Sequence, residues 1–360
     1  MTRSEEITSE ISKKFFLTQY IYTDLYVKEG GNEKEFCDCL LEFSNAYICI
    51  QIKEKDSSST LTPEEWFRKK VLKNATKQTR DTITFLNDEN NIIFSKKGEF
   101  NVDRTKALVP VLVFLNPDIE SYPRVKYSQH IKTPINIFSY EDFKTMLETV
   151  VLPYDIINYL VYRTAFNEAD RKKLIIDNVD DNMTLLARPK DEQDYAQMFL
   201  ARTYFSQLKL HDIHESEIEL YNTIVSTLNE SINFKRDEFI EGLLKTDYVG
   251  AAKISRNWNK LVDAAQQGRF VAPFWISIDS RLYMFASHPN TMNENEYVYR
   301  INLCTTYRKY KDQSINKIHL LTFKRENDDQ YSVSLSDASL DESFPYEELL
   351  DDAIKFFEGE

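Results

Sequence analysis

Glycine is scarce, with seven in 360 residues, and none falls in a glycine-rich loop that would cradle a phosphate chain. That argues against nucleotide hydrolysis within this chain. Cysteine is sparse too. Cys37, Cys39 and Cys49 lie close together, Cys304 lies far away, and no Cys-x-x-Cys pair occurs. The five histidines make no HExxH, and His211 and His214, three apart in a polar segment, read as surface residues. A structural zinc site is not expected. No Gly-x-Ser-x-Gly elbow is present, which disfavours a serine hydrolase. No apolar run approaches ~20 residues, so no membrane-spanning helix is expected. The start, Met1-Thr2-Arg3-Ser4-Glu5-Glu6, lacks the apolar core of a signal peptide, and a cytoplasmic location is the expectation.

What is present suits a folded chain of two domains: 42% hydrophobic residues, 13% aromatic, and length enough for two cores. The formal net charge of −13 excludes a wholly basic nucleic-acid binder. One local exception stands out. Between Trp66 and Arg80 there are six basic residues (Arg68, Lys69, Lys70, Lys73, Lys77, Arg80) and no acidic one.

The most informative stretch is a hairpin. Glu35 to Phe43 and Ala46 to Lys53 are β-rich runs flanking Ser44-Asn45. A turn symmetric about Ser44-Asn45 gives facing residues whose numbers sum to 89, which sets Asp38 opposite Gln51. Lys53, two further along, shares Gln51's face. Cys37, Cys39, Leu41, Phe43, Ala46, Ile48, Ile50 and Ile52 form the apolar opposite face. Glu35 falls on that opposite face too, unless the strand entry is irregular. One carboxylate, one amide and one ammonium therefore converge. Magnesium takes hard oxygen ligands and keeps several waters, so Asp38, the Gln51 amide oxygen and the Ile52 carbonyl suit it. An ordinary amphipathic hairpin facing solvent would show the same alternation.

This arrangement resembles the PD-(D/E)xK, or restriction-endonuclease-like, nuclease superfamily in its QxK variant. There an Asp on one strand precedes an (E/Q)xK tripeptide on the next, with a helix packed behind. Here they are Asp38 and Gln51-Ile52-Lys53, and the resemblance spans about Phe15 to Leu115, within a domain of residues 5–150. It implies Asp38, Gln51 and Lys53 as catalytic residues, and Mg²⁺ or Mn²⁺ held by Asp38, Gln51 and the Ile52 carbonyl. Gln78, Glu35 and Glu10 are the accessory positions. It further implies DNA as partner and an effector role in a prokaryotic anti-phage or restriction-type defence system, with a protein partner from that system. A homo-oligomer is expected, because cutting both strands usually needs two active sites. The alternative is a catalytically inactive nuclease-fold module for binding or assembly, favoured by the acidic net charge and the single firm carboxylate.

Around the hairpin, residues 4–18 have the spacing of an amphipathic helix carrying Glu10, and Tyr20 to Val27 reads as a strand. Thr62-Pro63-Glu64-Glu65 opens a helix running to about Leu86. Phe67, Val71, Ala75, Gln78 and Thr82 are expected to face the sheet, and Lys70, Lys73, Lys77 and Arg80 to run along a phosphate backbone. Strands are expected at Asn91–Ser95, Ala107–Leu115 and Pro134–Ser139, with Pro110 counting against a central place for the second. Ser139 then starts a helix over Glu141–Val151. The order gives an α/β (α+β) αβββαβ core with a mixed sheet in residues 1–153. Residues 154–360 form a helical, then β-rich, α+β domain for sensing, partner binding or oligomerisation. Its helices are read at 192–208, 216–232 and 235–267, and its strands at 271–278, 282–286, 297–303, 319–323 and 331–335, before a last helix to Phe357.

Overall fold

In the computed structural model, a 3-10 turn over Thr18–Tyr20 leads into β1 (Ile21–Tyr22). The structure describes residues 18–359 except 30–31, 44, 97, 172–188, 212, 231–236, 328–330 and 342. Residues 4–17 of the expected first helix, Glu10 among them, lie outside the described residues. The strand expected from Tyr20 to Val27 is two short strands. Thr23-Asp24-Leu25 breaks the run and buries Leu25, and β2 (Tyr26–Glu29) pairs with β3 (Asn32–Glu35) in a separate sheet. β1 stays beside β4 (Cys39–Glu42), which pairs antiparallel with β5 (Ala46–Glu54). The hairpin register is the expected one, from Cys39 opposite Ile50 to Glu42 opposite Tyr47.

The next helix starts as its sequence dictates. Thr62 Oγ1 accepts the Glu65 N–H at 3.2 Å, and Pro63 occupies the first turn. It runs as α1 (Pro63–Trp66), a π-helical stretch (Phe67–Ala75) and α2 (Thr76–Asn87). In the π stretch the Thr76 N–H reaches back to the Val71 carbonyl, five residues away. The wider turn keeps residues four apart in line, so the buried row is Phe67, Val71, Ala75 and Thr79. Gln78, expected toward the sheet, is exposed; Thr79 takes that place.

β6 (Ile93–Ser95) and β7 (Gly98–Phe100) complete a small sheet, β3-β2-β6-β7. Cys37, expected on the face of Cys39, joins the core under this sheet with Phe36, Leu40, Tyr47, Cys49 and Leu86. The cause is that residues 36–38 are not strand. Burial pushes the Cys49 thiol up to about 12 and the Cys37 thiol upward as well, so both are inert core groups.

The main sheet is mixed, in the order β1-β4-β5-β8-β10-β9, with β8 (Ala107–Leu115), β9 (Val125–Ser128) and β10 (Thr133–Ser139). β5, β8 and β10 run parallel. β8 is central despite Pro110, because β10 pairs with it only from Val111 onward. Pro110 stands at a local edge, where a missing N–H is tolerated. Ser139 Oγ accepts the Asp142 N–H at 3.1 Å and starts α3 (Tyr140–Val150), followed by α4 (Pro153–Arg171) and α5 (Glu192–His211). Phe143, Leu147, Tyr159 and Phe199 from these helices bury Ile48, Ile50, Val111 and Phe138 on one sheet face. Phe67, Val71 and Ala75 cover Leu112, Phe114, Ile135 and Ile137 on the other.

The first compact unit ends at Leu210, not at residue 153. A buried ion pair explains the extension. Arg163 on α4 is fully buried and donates from Nε to Glu192 Oε1 at 2.9 Å and from Nη2 to Glu192 Oε2 at 3.1 Å. It also donates to the Ile137 carbonyl at 2.9 Å and the Arg124 carbonyl at 2.6 Å, while Tyr159 and Arg124 satisfy Glu192 further. α4 and α5 are thereby fastened to β10.

The second unit, from His211, holds α6 (Glu215–Glu230), α7 (Asp237–Leu244) and α8 (Tyr248–Gln266). The helix expected over 235–267 divides because Asp247 caps α8, accepting the Gly250 N–H at 2.7 Å. Its sheet is β11-β12-β13-β14: β11 (Phe274–Ile278), β12 (Arg281–His288), β13 (Lys317–Arg325) and β14 (Tyr331–Ser339). The strand expected at Tyr297–Leu303 is helical, within α9 (Glu294–Lys311), and α10 (Tyr346–Glu358) closes the chain. Asn293 caps α9, acids fill its first turn and Arg308, Lys309 and Lys311 its last, which outweighs the β-favouring run.

Arg163→Ala is expected to leave Glu192 buried with its bidentate partner gone. The first urea transition should lose about 3–5 kcal/mol, as for other half-broken buried pairs.

Candidate metal and nucleic-acid site

β3 ends at Glu35 and β4 begins at Cys39, so Phe36-Cys37-Asp38 is an irregular link. It is pinned on two sides. The Phe36 N–H donates to the Leu25 carbonyl at 2.9 Å, and Thr82 Oγ1 on α2 donates to the Phe36 carbonyl at 2.7 Å. Glu35 lines the same cavity as Asp38, where a regular strand would place it on the opposite face.

Asp38 and Gln51 come together as expected, 8% and 5% exposed. Continuing the β4–β5 register by one pair sets them opposite each other, and the Asp38 carboxylate accepts the Ile52 N–H. In extended backbone the N–H and C=O of one residue point to the same strand edge, so the Ile52 carbonyl also faces Asp38's side, beyond the last β4 pair. A cavity of about 230 Å³ opens here, lined by Val27, Lys34, Glu35, Phe36, Asp38, Gln51, Gln78, Asp81, Thr82 and Phe85. Gln78 therefore belongs to the site although it does not face the sheet. Lys53 is half-buried at the end of β5, opposite Phe114, and does not line the cavity. Asp81 went unnoticed in the sequence. Its signal was the three-residue step from Gln78, which puts both on one helix face.

Three carboxylates (Glu35, Asp38, Asp81) and one lysine line this cavity, so it is acidic. Among the described residues no three His, Cys, Asp or Glu side chains are grouped to hold a metal by themselves. A hard cation that keeps several waters needs fewer protein ligands. At ~30 Å³ per water, the cavity has room for such a hydrated ion. The Asp38 carboxylate, the Gln51 amide and the Ile52 carbonyl are oxygen donors of the kind it takes.

Along the helix runs a groove of about 910 Å³, lined by Arg68, Lys69, Leu72, Lys73, Asn74, Thr76, Lys77, Arg80, Lys126 and Ser128. Of the four basic residues singled out in the sequence, Lys73, Lys77 and Arg80 line it and Lys70 does not. Of the eight lining residues from the helix, all but Asn74 follow two rows spaced by four, 68-72-76-80 and 69-73-77. The π stretch sets this spacing, and a reading at the α period aligned Lys70 with Lys73 instead. Lys126 comes from β9, and its Nζ donates to the Leu72 carbonyl within the π stretch; burial lowers its pKa.

Comparison of the chain with protein-family models, characterised proteins and solved structures finds no match.

Thr82→Val is expected to strip the buried Phe36 carbonyl of its donor, at a cost of about 1–3 kcal/mol in urea unfolding. A wild-type urea midpoint in this variant would show that the link is held by other means.

Proposed function

We propose that the chain is a metal-dependent nuclease that hydrolyses DNA phosphodiesters at the cavity of Asp38 and Gln51. The observation that carries the reading is the opposition of these two side chains at a cavity ringed by further acids. The order of β4, β5, crossover helix and parallel β8 agrees with the order implied by the PD-(D/E)xK resemblance. Electrostatics adds support. A cavity with three carboxylates against one lysine, Asp81 being paired with Arg80 at 3.3 Å, disfavours a phosphodiester, and a divalent cation offsets that charge.

When bound, Mg²⁺ or Mn²⁺ would supply an activated water and polarise the phosphoryl oxygens. Asp38, Gln51 and the Ile52 carbonyl would hold it, with the Ile52 N–H fixing the Asp38 carboxylate. Gln78 would orient water by hydrogen bonds. Glu35 and Asp81 would add negative charge at the rim. Lys53, on a flexible four-carbon stem at the end of β5, would offset charge developing on the phosphate.

A second reading keeps the cavity and the groove but no chemistry: a nuclease-fold module for binding or assembly. The position of Lys53 outside the cavity lining favours it.

Plasmid cleavage separates the two. Wild type should cut with Mg²⁺ or Mn²⁺ and stop in EDTA. Asp38→Ala and Lys53→Ala, matched for folding by circular dichroism, should each lose on the order of 10²-fold or more. Cutting that survives Asp38→Ala overturns the assignment, and an inactive wild type moves the chain to the second reading.

A further inference from the structure

Six cationic side chains line the groove, namely Arg68, Lys69, Lys73, Lys77, Arg80, which pairs with Asp81 at 3.3 Å, and Lys126, and among the described residues no carboxylate lines it, in a chain of net charge −13. Among the described residues the groove and the acidic cavity share no lining residue. They lie on opposite flanks of one helix. At about 3.6 residues per turn, Thr76, Lys77 and Arg80 fall to one side of the buried row Thr79–Ile83–Leu86, and Gln78, Asp81 and Phe85 to the other.

A helix with its side chains is ~10 Å across, so an anion in the groove and one in the cavity are separated by about that distance. A duplex advances ~3.4 Å per base pair along its axis, so one ligand that reaches both covers roughly three base pairs. A mononucleotide cannot. Among the described residues no aromatic side chain lines the groove. Proteins that grip single strands add aromatic platforms for unstacked bases, whereas this lining, Leu72 apart, offers charge, hydroxyl and amide groups, which contact phosphate and sugar.

We propose that the groove anchors the backbone of duplex DNA, at phosphates remote from the one in the cavity. The proposal rests on the nuclease reading only for the choice of DNA as the polymer.

The test is fluorescence anisotropy in EDTA, with a 30-base-pair duplex, an unstructured single strand of the same length, and the wild type, Lys73→Glu and Lys70→Glu proteins. Both lysines are exposed on the same helix and both changes alter charge equally, but only Lys73 lines the groove. The wild type should prefer the duplex by about tenfold or more. Lys73→Glu should weaken duplex binding about tenfold at low salt and flatten the salt dependence by about one phosphate contact, and Lys70→Glu less than about threefold. Equal losses in the two variants, no loss in Lys73→Glu, or single strand bound as tightly as duplex would each overturn the anchor. Because metal is absent, the outcome is independent of cleavage. Groove binding without metal-dependent cutting sinks the nuclease reading alone, and cutting with no effect of Lys73→Glu sinks the anchor alone.

Discussion

The site depends on the register of β5, which is held antiparallel by β4 on one side and parallel by β8 on the other. Its pairing with β4 brings Gln51 to Asp38. Its pairing with β8 demands a crossover, and the helix from Pro63 to Asn87 provides it. A slip of one residue would carry Gln51 into the apolar face now filled by Ile48, Ile50 and Ile52, and the core would resist it. Core packing therefore enforces the geometry of the polar site.

The crossover helix sets the electrostatics. One flank meets an acidic cavity and the other a basic groove, so opposite potentials lie a helix width apart on an acidic chain. The π stretch is what gathers the basic rows. Its Leu72 carbonyl takes a hydrogen bond from Lys126, which ties the helix to the sheet edge and adds a cation to the groove.

The hairpin was legible because a period of two and a turn centre determine every facing pair, and no distant residue intervenes. Asp38 and Gln51 followed from it. Glu35 did not, because its place depends on the Thr82 hydroxyl, 47 residues away, holding an irregular link. Lys70 and Gln78 were misplaced for one reason: a π turn leaves no mark that a count at 3.6 residues can detect. Tyr297–Leu303 has the aromatic and β-branched content of a strand, but the cap at Asn293 and the charged ends of α9 make it helical. Lys126 was beyond reach, since only the fold brings β9 to the helix.

The most direct measurement is calorimetric titration of Mn²⁺ into the wild type and Asp38→Asn, with thermal unfolding of both as a control. The wild type is expected to bind Mn²⁺ at a site that Asp38→Asn loses while keeping its fold. A wild type that binds no Mn²⁺, or a variant that binds it equally well, would contradict it.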